Sequence, residues 1–256
     1  MKRLLGLLAA VLLAATPALA SVTTTGAGKV LTGGGGGGGA PSLMLNTTTG
    51  SVAGASQVYT LTGACTSGVA VIGLMTHGNN WASIVDSTGQ TWTHSREVSS
   101  SSVHTQMFKA VMSGGGLSVG STITIGWNFA SQNSTSFVAA CFPSGTGIPT
   151  TNDGDGDDGV NSTGITQTIT GPTTATSYQY VAQAYSNNTT PPATGPDAPT
   201  TTGGWALDQI ATTAESPGYG LKTYWRKATS TASTVLKTTA GGFSLTGTVW
   251  QEVVAP

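Results

Sequence analysis

The residues best suited to chemistry lie in one acidic, glycine-rich run, Asp153-Gly154-Asp155-Gly156-Asp157-Asp158-Gly159. Ca²⁺ prefers oxygen ligands, and glycines between the carboxylates let several of them turn towards one point. The D-x-D-x-D-G order of a calcium loop is followed only in part, because Asp158 takes the place of the turn glycine. We therefore expect either a weak Ca²⁺ site, with ligands Asp153, Asp155, Asp157 and Asp158, or a solvated acidic linker.

Other catalytic patterns are less clearly indicated. The spacing of His77, His94 and His104 fits no zinc template, and the remaining acidic residues stand in no recognisable context for glycoside hydrolysis. A polysaccharide lyase built on a sheet would use tyrosine, histidine, arginine or lysine. The candidates of these types are Tyr219, Tyr224, Arg226, Lys227 and His104.

Aromatic rings could instead bind carbohydrate, because a flat ring stacks on the face of a pyranose. Most of the six tryptophans stand at strand positions that are typical of a core. Trp81 follows Gly78-Asn79-Asn80 and Tyr219 follows Pro217-Gly218, which are turn contexts. We expect Trp81 and Tyr219 to be exposed ligand contacts.

The composition favours an exported β-protein. Charged residues make up 7% of the chain, against ~25% in an ordinary soluble protein. Threonine, serine, asparagine and glycine must therefore keep the surface hydrated. Nine basic residues face ten acidic ones and form no basic patch, which argues against a nucleic-acid partner.

Residues 1–20 have the three-part layout of a signal peptide. Lys2 and Arg3 precede an apolar run at residues 4–15, and Ala18-Leu19-Ala20 offers a cleavage site before Ser21. The run is shorter than the ~20 residues of a membrane span. We expect a secreted chain without membrane insertion, the alternative being a retained anchor.

Residues 21–41 include seven consecutive glycines. Such a run has no side chains to bury and much backbone entropy to lose, so it predicts a flexible tether. The alternative is a polyglycine stretch that packs against copies of itself in a fibre.

From residue 42 onwards the signals are those of strands and turns. Residues 69–75 and 137–142 are short apolar runs, and residues 121–127 alternate. The same order of strands occurs at about residues 55–148 and 160–256, with Met107-Phe108-Lys109 opposite Tyr224-Trp225-Arg226. This is either a duplication or the chance rhythm of a β-protein.

The predicted fold is all-β. We expect a single jelly-roll-like β-sandwich of two related five-stranded halves, in one domain at residues 42–256.

One motif has a wider resemblance. Ile84-Val85-Asp86-Ser87-Thr88-Gly89-Gln90-Thr91-Trp92 is followed by Met107-Phe108-Lys109-Ala110 and by a late small-residue strand. This resembles the V-x-D-S-x-G-N-x-[YW] pattern of poorly characterised β-sandwich domains in bacterial secreted, surface and phage-tail proteins, with Gln90 replacing the usual asparagine. The resemblance covers about residues 55–256. It implies a fold and no activity, and it brings no catalytic residues.

The two cysteines are Cys65 and Cys141. An exported compartment permits a disulfide between them, worth roughly 4 kcal/mol in the chain-entropy account. The alternative is two buried free thiols, because Cys141 lies in an apolar run.

The expected function is that of an exported, non-enzymatic surface or extracellular module. Its expected partner is a glycan or cell-surface polymer, or copies of itself. The competing interpretation is a carbohydrate-active enzyme, a polysaccharide lyase or glycoside hydrolase, on the same fold.

Overall fold

The structure is a computed structural model that describes residues 40–49, 52–78, 82–100, 103–127, 131–132, 134–143, 153–156, 164–187, 204–212, 218–239 and 243–253. The expected signal peptide, most of the expected tether and Trp81 lie outside these ranges. The described residues form no helix long and apolar enough to cross a membrane.

The described residues form strands and no helices, which confirms the all-β prediction. The strands are β1 (Ser42–Thr49), β2 (Val52–Ala53), β3 (Ser56–Thr60), β4 (Val69–His77), β5 (Ala82–Asp86), β6 (Thr93–Ser100), β7 (Val103–Val111), β8 (Thr122–Trp127), β9 (Ser131–Gln132), β10 (Ser134–Phe142), β11 (Gly154–Gly156), β12 (Gly164–Ile169), β13 (Tyr178–Asn187), β14 (Ala206–Thr212), β15 (Gly218–Lys227), β16 (Thr234–Thr239) and β17 (Phe243–Val253). All their pairings are antiparallel.

Two five-stranded sheets form the centre of the molecule. Inner sheet 1 has the order β1-β10-β4-β7-β6, and inner sheet 2 has the order β11-β17-β13-β15-β14. One buried cluster joins Met107 of the first sheet to Tyr180 of the second. At the close approach beside Gly73, an added Cβ would lie 3.0 Å from that of Ala182. The two sheets therefore pack face to face around a shared core, as in a β-sandwich.

Each inner sheet also has a covered outer face. Outer sheet 1 (β3-β8-β5) lies over inner sheet 1, with Ile123 buried beside Leu74. Outer sheet 2 (β12-β16) lies over inner sheet 2, with Leu236 buried beside Val181. The expected two-layer sandwich thus has a further sheet on each side, because both faces of each inner sheet must be shielded from water.

Burial on both faces explains the sequences of the inner strands. β4 and β10 are buried almost throughout, and both are rich in apolar and small residues. β8 alternates instead, with Ile123, Ile125 and Trp127 turned inwards. The strands predicted at residues 69–75, 121–127 and 137–142 are confirmed.

The two inner sheets share an order of strands. Inner sheet 1 is built from the part of the chain from β1 to β10, and inner sheet 2 from the part from β11 to β17. In each sheet the first of these strands lies at an edge, beside the last: β1 beside β10 and β11 beside β17. The opposite edge is a hairpin, β6-β7 in one sheet and β14-β15 in the other. Each outer sheet pairs a strand near the beginning of its part of the chain with one near the end, β3 with β8 and β12 with β16.

The expected alignment of Met107-Phe108-Lys109 with Tyr224-Trp225-Arg226 places residues from opposite faces of the two strands together. Met107 and Trp225 both face the shared core, whereas Phe108 and Tyr224 both face an outer sheet. Side chains alternate along a strand, so a shift of one residue exchanges the two faces.

Cys65 and Cys141 form a disulfide, with Cα atoms 5.4 Å apart, which confirms the predicted bridge. Cys65 lies between β3 and β4, and Cys141 lies on β10. Both are buried beside Leu117 in the cluster under outer sheet 1. The bridge therefore fastens a connecting loop to inner sheet 1.

Candidate functional site

The described part of the acidic run is a strand. Gly154–Gly156 form β11 at the edge of inner sheet 2 and pair with β17. A Cβ at Gly154 would lie 2.1 Å from the Trp250 ring, so glycine lets that ring rest on the strand. This part of the run belongs to a sheet and is not a solvated linker. Asp157 and Asp158 lie outside the described residues.

The carboxylates of Asp153 and Asp155 face two cations from inner sheet 1. Lys109 Nζ lies 3.8 Å from Asp153 Oδ2, and Arg96 Nη2 lies 3.7 Å from Asp153 Oδ1. Arg96 Nε lies 4.0 Å from Asp155 Oδ2. Burial lowers the pKa of Lys109, and the charge of Asp153 opposes that shift. These contacts join the two inner sheets electrostatically.

Those cations compete with Ca²⁺ for the same carboxylate oxygens. Among the described residues, no three His, Cys, Asp or Glu side chains are grouped so as to hold a metal ion. The Ca²⁺ site stays a prediction that depends on Asp157 and Asp158.

Tyr219 lies inside the fold. It is the second residue of β15, is 7% exposed and stacks on His77 with ring centroids 4.0 Å apart. Tyr219 Oη and His77 Nε2 lie 2.9 Å apart, within hydrogen-bonding distance. The expected exposed turn is not found, because the strand already begins at Gly218. The role of Tyr219 and of Trp81 as ligand contacts stays a prediction.

The side chains of the lyase hypothesis do not converge. Tyr219 and Arg226 lie near opposite ends of β15 and on opposite faces. Arg226 Nε donates to Gln179 Oε1 at 2.7 Å. His104 lies on inner sheet 1, where its Nδ1 is 3.2 Å from Glu97 Oε1. Among these described side chains, Tyr219 lies beside His77, a pairing that sequence spacing gave no reason to expect.

The resemblance motif organises a turn. Asp86 accepts hydrogen bonds from the backbone N–H of Thr88 at 2.7 Å and of Gln90 at 3.1 Å, and from Trp92 Nε1 at 2.7 Å. Gly89 has a φ of 76°, which suits glycine. Burial by itself raises the pKa of Asp86, but the hydrogen bonds outweigh it and lower the pKa. Asp86 thus has a structural role here.

A Gly-x-Ser-x-Gly run that was not among the sequence candidates lies between β7 and β8, at Gly116-Leu117-Ser118-Val119-Gly120. In a hydrolase this motif forms a strand-to-helix turn that holds the serine beside a histidine. Here a strand follows, and Ser118 Oγ lies 3.3 Å from Ser121 Oγ. The geometry is that of a structural turn.

One of the acidic residues without a recognisable sequence context, Asp208, lies on β14 with its carboxyl group buried. Tyr180 Oη donates to Asp208 Oδ2 at 2.9 Å, and Thr223 Oγ1 donates to the same oxygen at 3.2 Å. Burial raises the pKa of both Asp208 and Tyr180. Only the fold brings these three strands together, so no local pattern signals the cluster.

Glu252 is a second buried acid, on β17. It is 0% exposed and accepts hydrogen bonds from the backbone N–H of Thr173 at 2.8 Å and from its Oγ1 at 2.7 Å. Lys222 and Arg226 of β15 are buried too. Inner sheet 2 therefore holds much of the charge of the described residues inside the fold.

The described surface carries few charges, and Glu97 and Lys227 on it are only partly exposed. Among the charged side chains whose exposure the structure describes, only Arg96 and Asp155 are exposed, and these two contact each other.

Outer sheet 1 presents a face to solvent that is free of charge. Val58, Thr124 and Val85 lie in register across its three strands, and Val58 and Val85 are 54% and 61% exposed. Ser56 and Ser83 flank Gly126 in the next row. This face is the best candidate surface on the described part of the chain.

A groove of about 150 Å³ separates β1 from β3. Its lining is mixed, with the hydroxyl and amide groups of Thr47, Thr48, Thr49 and Gln57 among the apolar surfaces of Leu45, Val58 and Tyr59. Tyr59 Oη lies 3.1 Å from Thr49 Oγ1. The groove offers hydrogen bonds and no charge.

The chain was compared with protein-family models, curated proteins and solved structures, and nothing in any of the three matches it.

Proposed function

We propose that the chain is an exported, non-enzymatic module that acts outside the cell by assembling with copies of itself. The observation that carries the proposal is the low charge of the described surface: of the charged side chains whose exposure the structure describes, Arg96 and Asp155 are the exposed ones. Net surface charge keeps protein molecules apart, and its absence promotes association. The signal-peptide pattern and the disulfide support export.

The finer architecture belongs to the same proposal. We infer that each stretch of chain is wound in a jelly-roll-like manner and that the two stretches are related halves. The shared strand order supports this, because β1 and β10, like β11 and β17, are neighbours in an inner sheet, while β3 and β12 lie in the outer sheets.

The competing enzyme has less support. Cleavage of an acidic polysaccharide needs basic and proton-transferring groups that converge on an open face of a sheet. Lys109, Lys222 and Arg226 are buried, and Tyr219 faces the shared core. An extended acidic substrate would therefore find no exposed cluster of cations on the described surface.

Carbohydrate binding is a second candidate, favoured by the groove between β1 and β3. The hydroxyl and amide groups of its mixed lining match the hydroxyl groups of a neutral sugar. Its volume of about 150 Å³ is below the ~300 Å³ of a typical ligand pocket. It would hold part of a sugar chain rather than a buried oligosaccharide.

Light scattering after size exclusion tests the proposal on the purified protein over a series of concentrations. We expect the average mass to rise with concentration. A monomer mass throughout would contradict self-assembly, and binding on a glycan array would then favour the second candidate. Turnover of a polysaccharide by that monomer would instead support the enzyme.

A further inference from the structure

The free edges of the inner sheets are protected against pairing with another chain. β1, β6 and β14 each carry a β-bulge, and β11 has only three residues. Arg96 on β6 adds an exposed charge. Bulges, charges and short strands are the devices by which proteins prevent edge-to-edge association.

β5, at one edge of outer sheet 1, has none of these devices. It pairs with β8 in unbroken register, and no described residue pairs with its other side. Val85 beside that edge is 61% exposed. The one charge of the strand, Asp86, is 8% exposed and is held by the turn that follows. The edge is regular, uncharged and partly apolar.

The other uncharged edges are less open. On β3, Gln57 Nε2 already donates to the Val58 carbonyl at 3.2 Å, and β1 forms the opposite wall of the adjoining groove. On β12, the exposed residues Thr166 and Thr168 are hydrophilic. β5 is therefore the edge best suited to a partner strand.

The backbone of β5 is self-complementary about its centre. The backbone N–H of Ser87 donates to the Thr122 carbonyl. The odd-numbered residues of this segment therefore direct their backbone N–H and C=O groups towards β8. Ile84, the middle residue of the five, must then direct its N–H and C=O to the free edge. Antiparallel pairing centred on Ile84 lets two identical strands exchange these groups.

We propose that β5 pairs antiparallel with β5 of a second copy of the chain, about a twofold axis at Ile84. This names the partner and the surface of the self-assembly proposed above, and it rests on that proposal. Outer sheet 1 then becomes one continuous six-stranded sheet across two copies. Ser83 of one copy lies opposite Val85 of the other on the solvent face.

The contact is small, because two five-residue strands bury less than the ~1,200 Å² of a standard stable interface. Association is therefore weak and depends on concentration. Anchoring or crowding of many copies at one surface would favour it by raising their local concentration.

Sedimentation velocity over a concentration series tests the edge, with three matched lysine variants of the purified protein. Val85→Lys places a cation beside the β5 edge and should weaken association about tenfold or more. Val58→Lys changes the opposite edge, and Val119→Lys changes a connecting segment. The unsubstituted residues there are 54% and 65% exposed. Both controls should associate like the unaltered protein, and all three should keep its unfolding temperature.

The double variant Ser83→Glu with Val85→Lys tests the register. The new carboxylate of each copy would face the new ammonium group of the other, so association should return, and salt should weaken it. Association of Val85→Lys at the unaltered strength, loss in Val58→Lys, or no recovery in the double variant would each overturn the β5 pairing. None of these results would contradict the proposal of self-assembly itself, which is contradicted only if the unaltered protein stays monomeric.

Discussion

The outer faces of the two inner sheets have opposite chemistry, although the sheets share an order of strands. On inner sheet 1 the buried outer residues are mostly apolar and include Ile72, Leu74, Phe108, Phe137 and Ala139. On inner sheet 2 the buried outer residues include Gln179, Gln183, Lys222, Arg226 and Glu252. The same arrangement of strands is therefore stabilised mainly by apolar packing on one side, and on the other by a network of hydrogen bonds beside the smaller apolar cluster of Val181, Tyr224 and Trp250.

This difference bears on function through the surface. A buried charge is stable only if hydrogen bonds replace its water, as the contact of Arg226 with Gln179 illustrates. Charges held inside in this way do not repel a second copy. The low charge of the described surface, which we connect with assembly, thus follows in part from the polar interior.

The largest predicted effect is on the apolar face. Phe137 is 0% exposed and stacks on Tyr59 with ring centroids 4.6 Å apart. Phe137→Ala should lower the free energy of unfolding by about 3 to 5 kcal/mol, because it leaves a cavity. Urea denaturation measures the loss, and Phe137→Leu should cost clearly less. Equal stability of the alanine variant would show that this face is not a tightly packed core.

A matched change on the polar face should cost less. Each carboxylate oxygen of Glu252 accepts a hydrogen bond from Thr173. Glu252→Gln replaces one of these oxygens with an amide NH₂ group, which cannot accept. The loss of one charged hydrogen bond should lower the free energy of unfolding by about 1.5 to 3 kcal/mol. The same denaturation experiment measures it. A neutral or stabilising result would mean that the buried carboxylate is not part of a satisfied network.

Two aspartates should respond to pH in opposite directions. The hydrogen bonds of Asp86 lower its pKa below 3.8 despite burial, so its stabilising effect is lost as the pH falls through that lowered value. Burial raises the pKa of Asp208 above 3.8, so its contribution is present in acid and is lost as the pH rises through the raised value.

Stability measured between about pH 3 and pH 7 checks these signs. Asp86→Asn should be less stable than the unaltered protein at neutral pH, with the difference shrinking in acid. The free energy of unfolding of Asp208→Asn, relative to that of the unaltered protein, should be highest at neutral pH. This advantage should shrink as the pH falls. Parallel pH profiles for the two variants would contradict the different environments of the two carboxyl groups.

The smallest effect should come from the surface. The Arg96 side chain is 45% exposed and contacts Asp155 at 4.0 Å. Arg96→Ala should change the free energy of unfolding by less than about 1 kcal/mol, because exposed ion pairs contribute little. A loss as large as that of Glu252→Gln would show that the contacts between the inner sheets depend on this pair.

Local patterns were sufficient for much of the first half. The apolar runs that became β4 and β10 and the alternation of β8 reflect burial directly, and an exported chain with two cysteines indicated the disulfide. The four-layer arrangement could not be predicted, because pairing between distant strands leaves no local signature.

The local structure at Gly218 and at Gly154–Gly156 could not be predicted, for a common reason. Pro217-Gly218 indicates a turn and the Asp-Gly run a metal site or linker, yet Gly218 begins β15 and Gly154–Gly156 form β11. In each, a glycine lies under an aromatic ring from a neighbouring strand, Gly220 under Tyr185 and Gly154 under Trp250. Tertiary packing thus overrides the turn preference of glycine, and sequence alone does not reveal the ring.

The most direct test of the account is the association constant of the unaltered protein, measured by sedimentation equilibrium in low and high salt. Between ~0.1 M and ~1 M salt the Debye length falls from about 10 Å to about 3 Å, so contacts between charges weaken strongly. Assembly through uncharged surfaces predicts a constant that stays the same or rises. A constant that falls steeply with salt, or a monomer under both conditions, would contradict the claim that a neutral surface drives assembly.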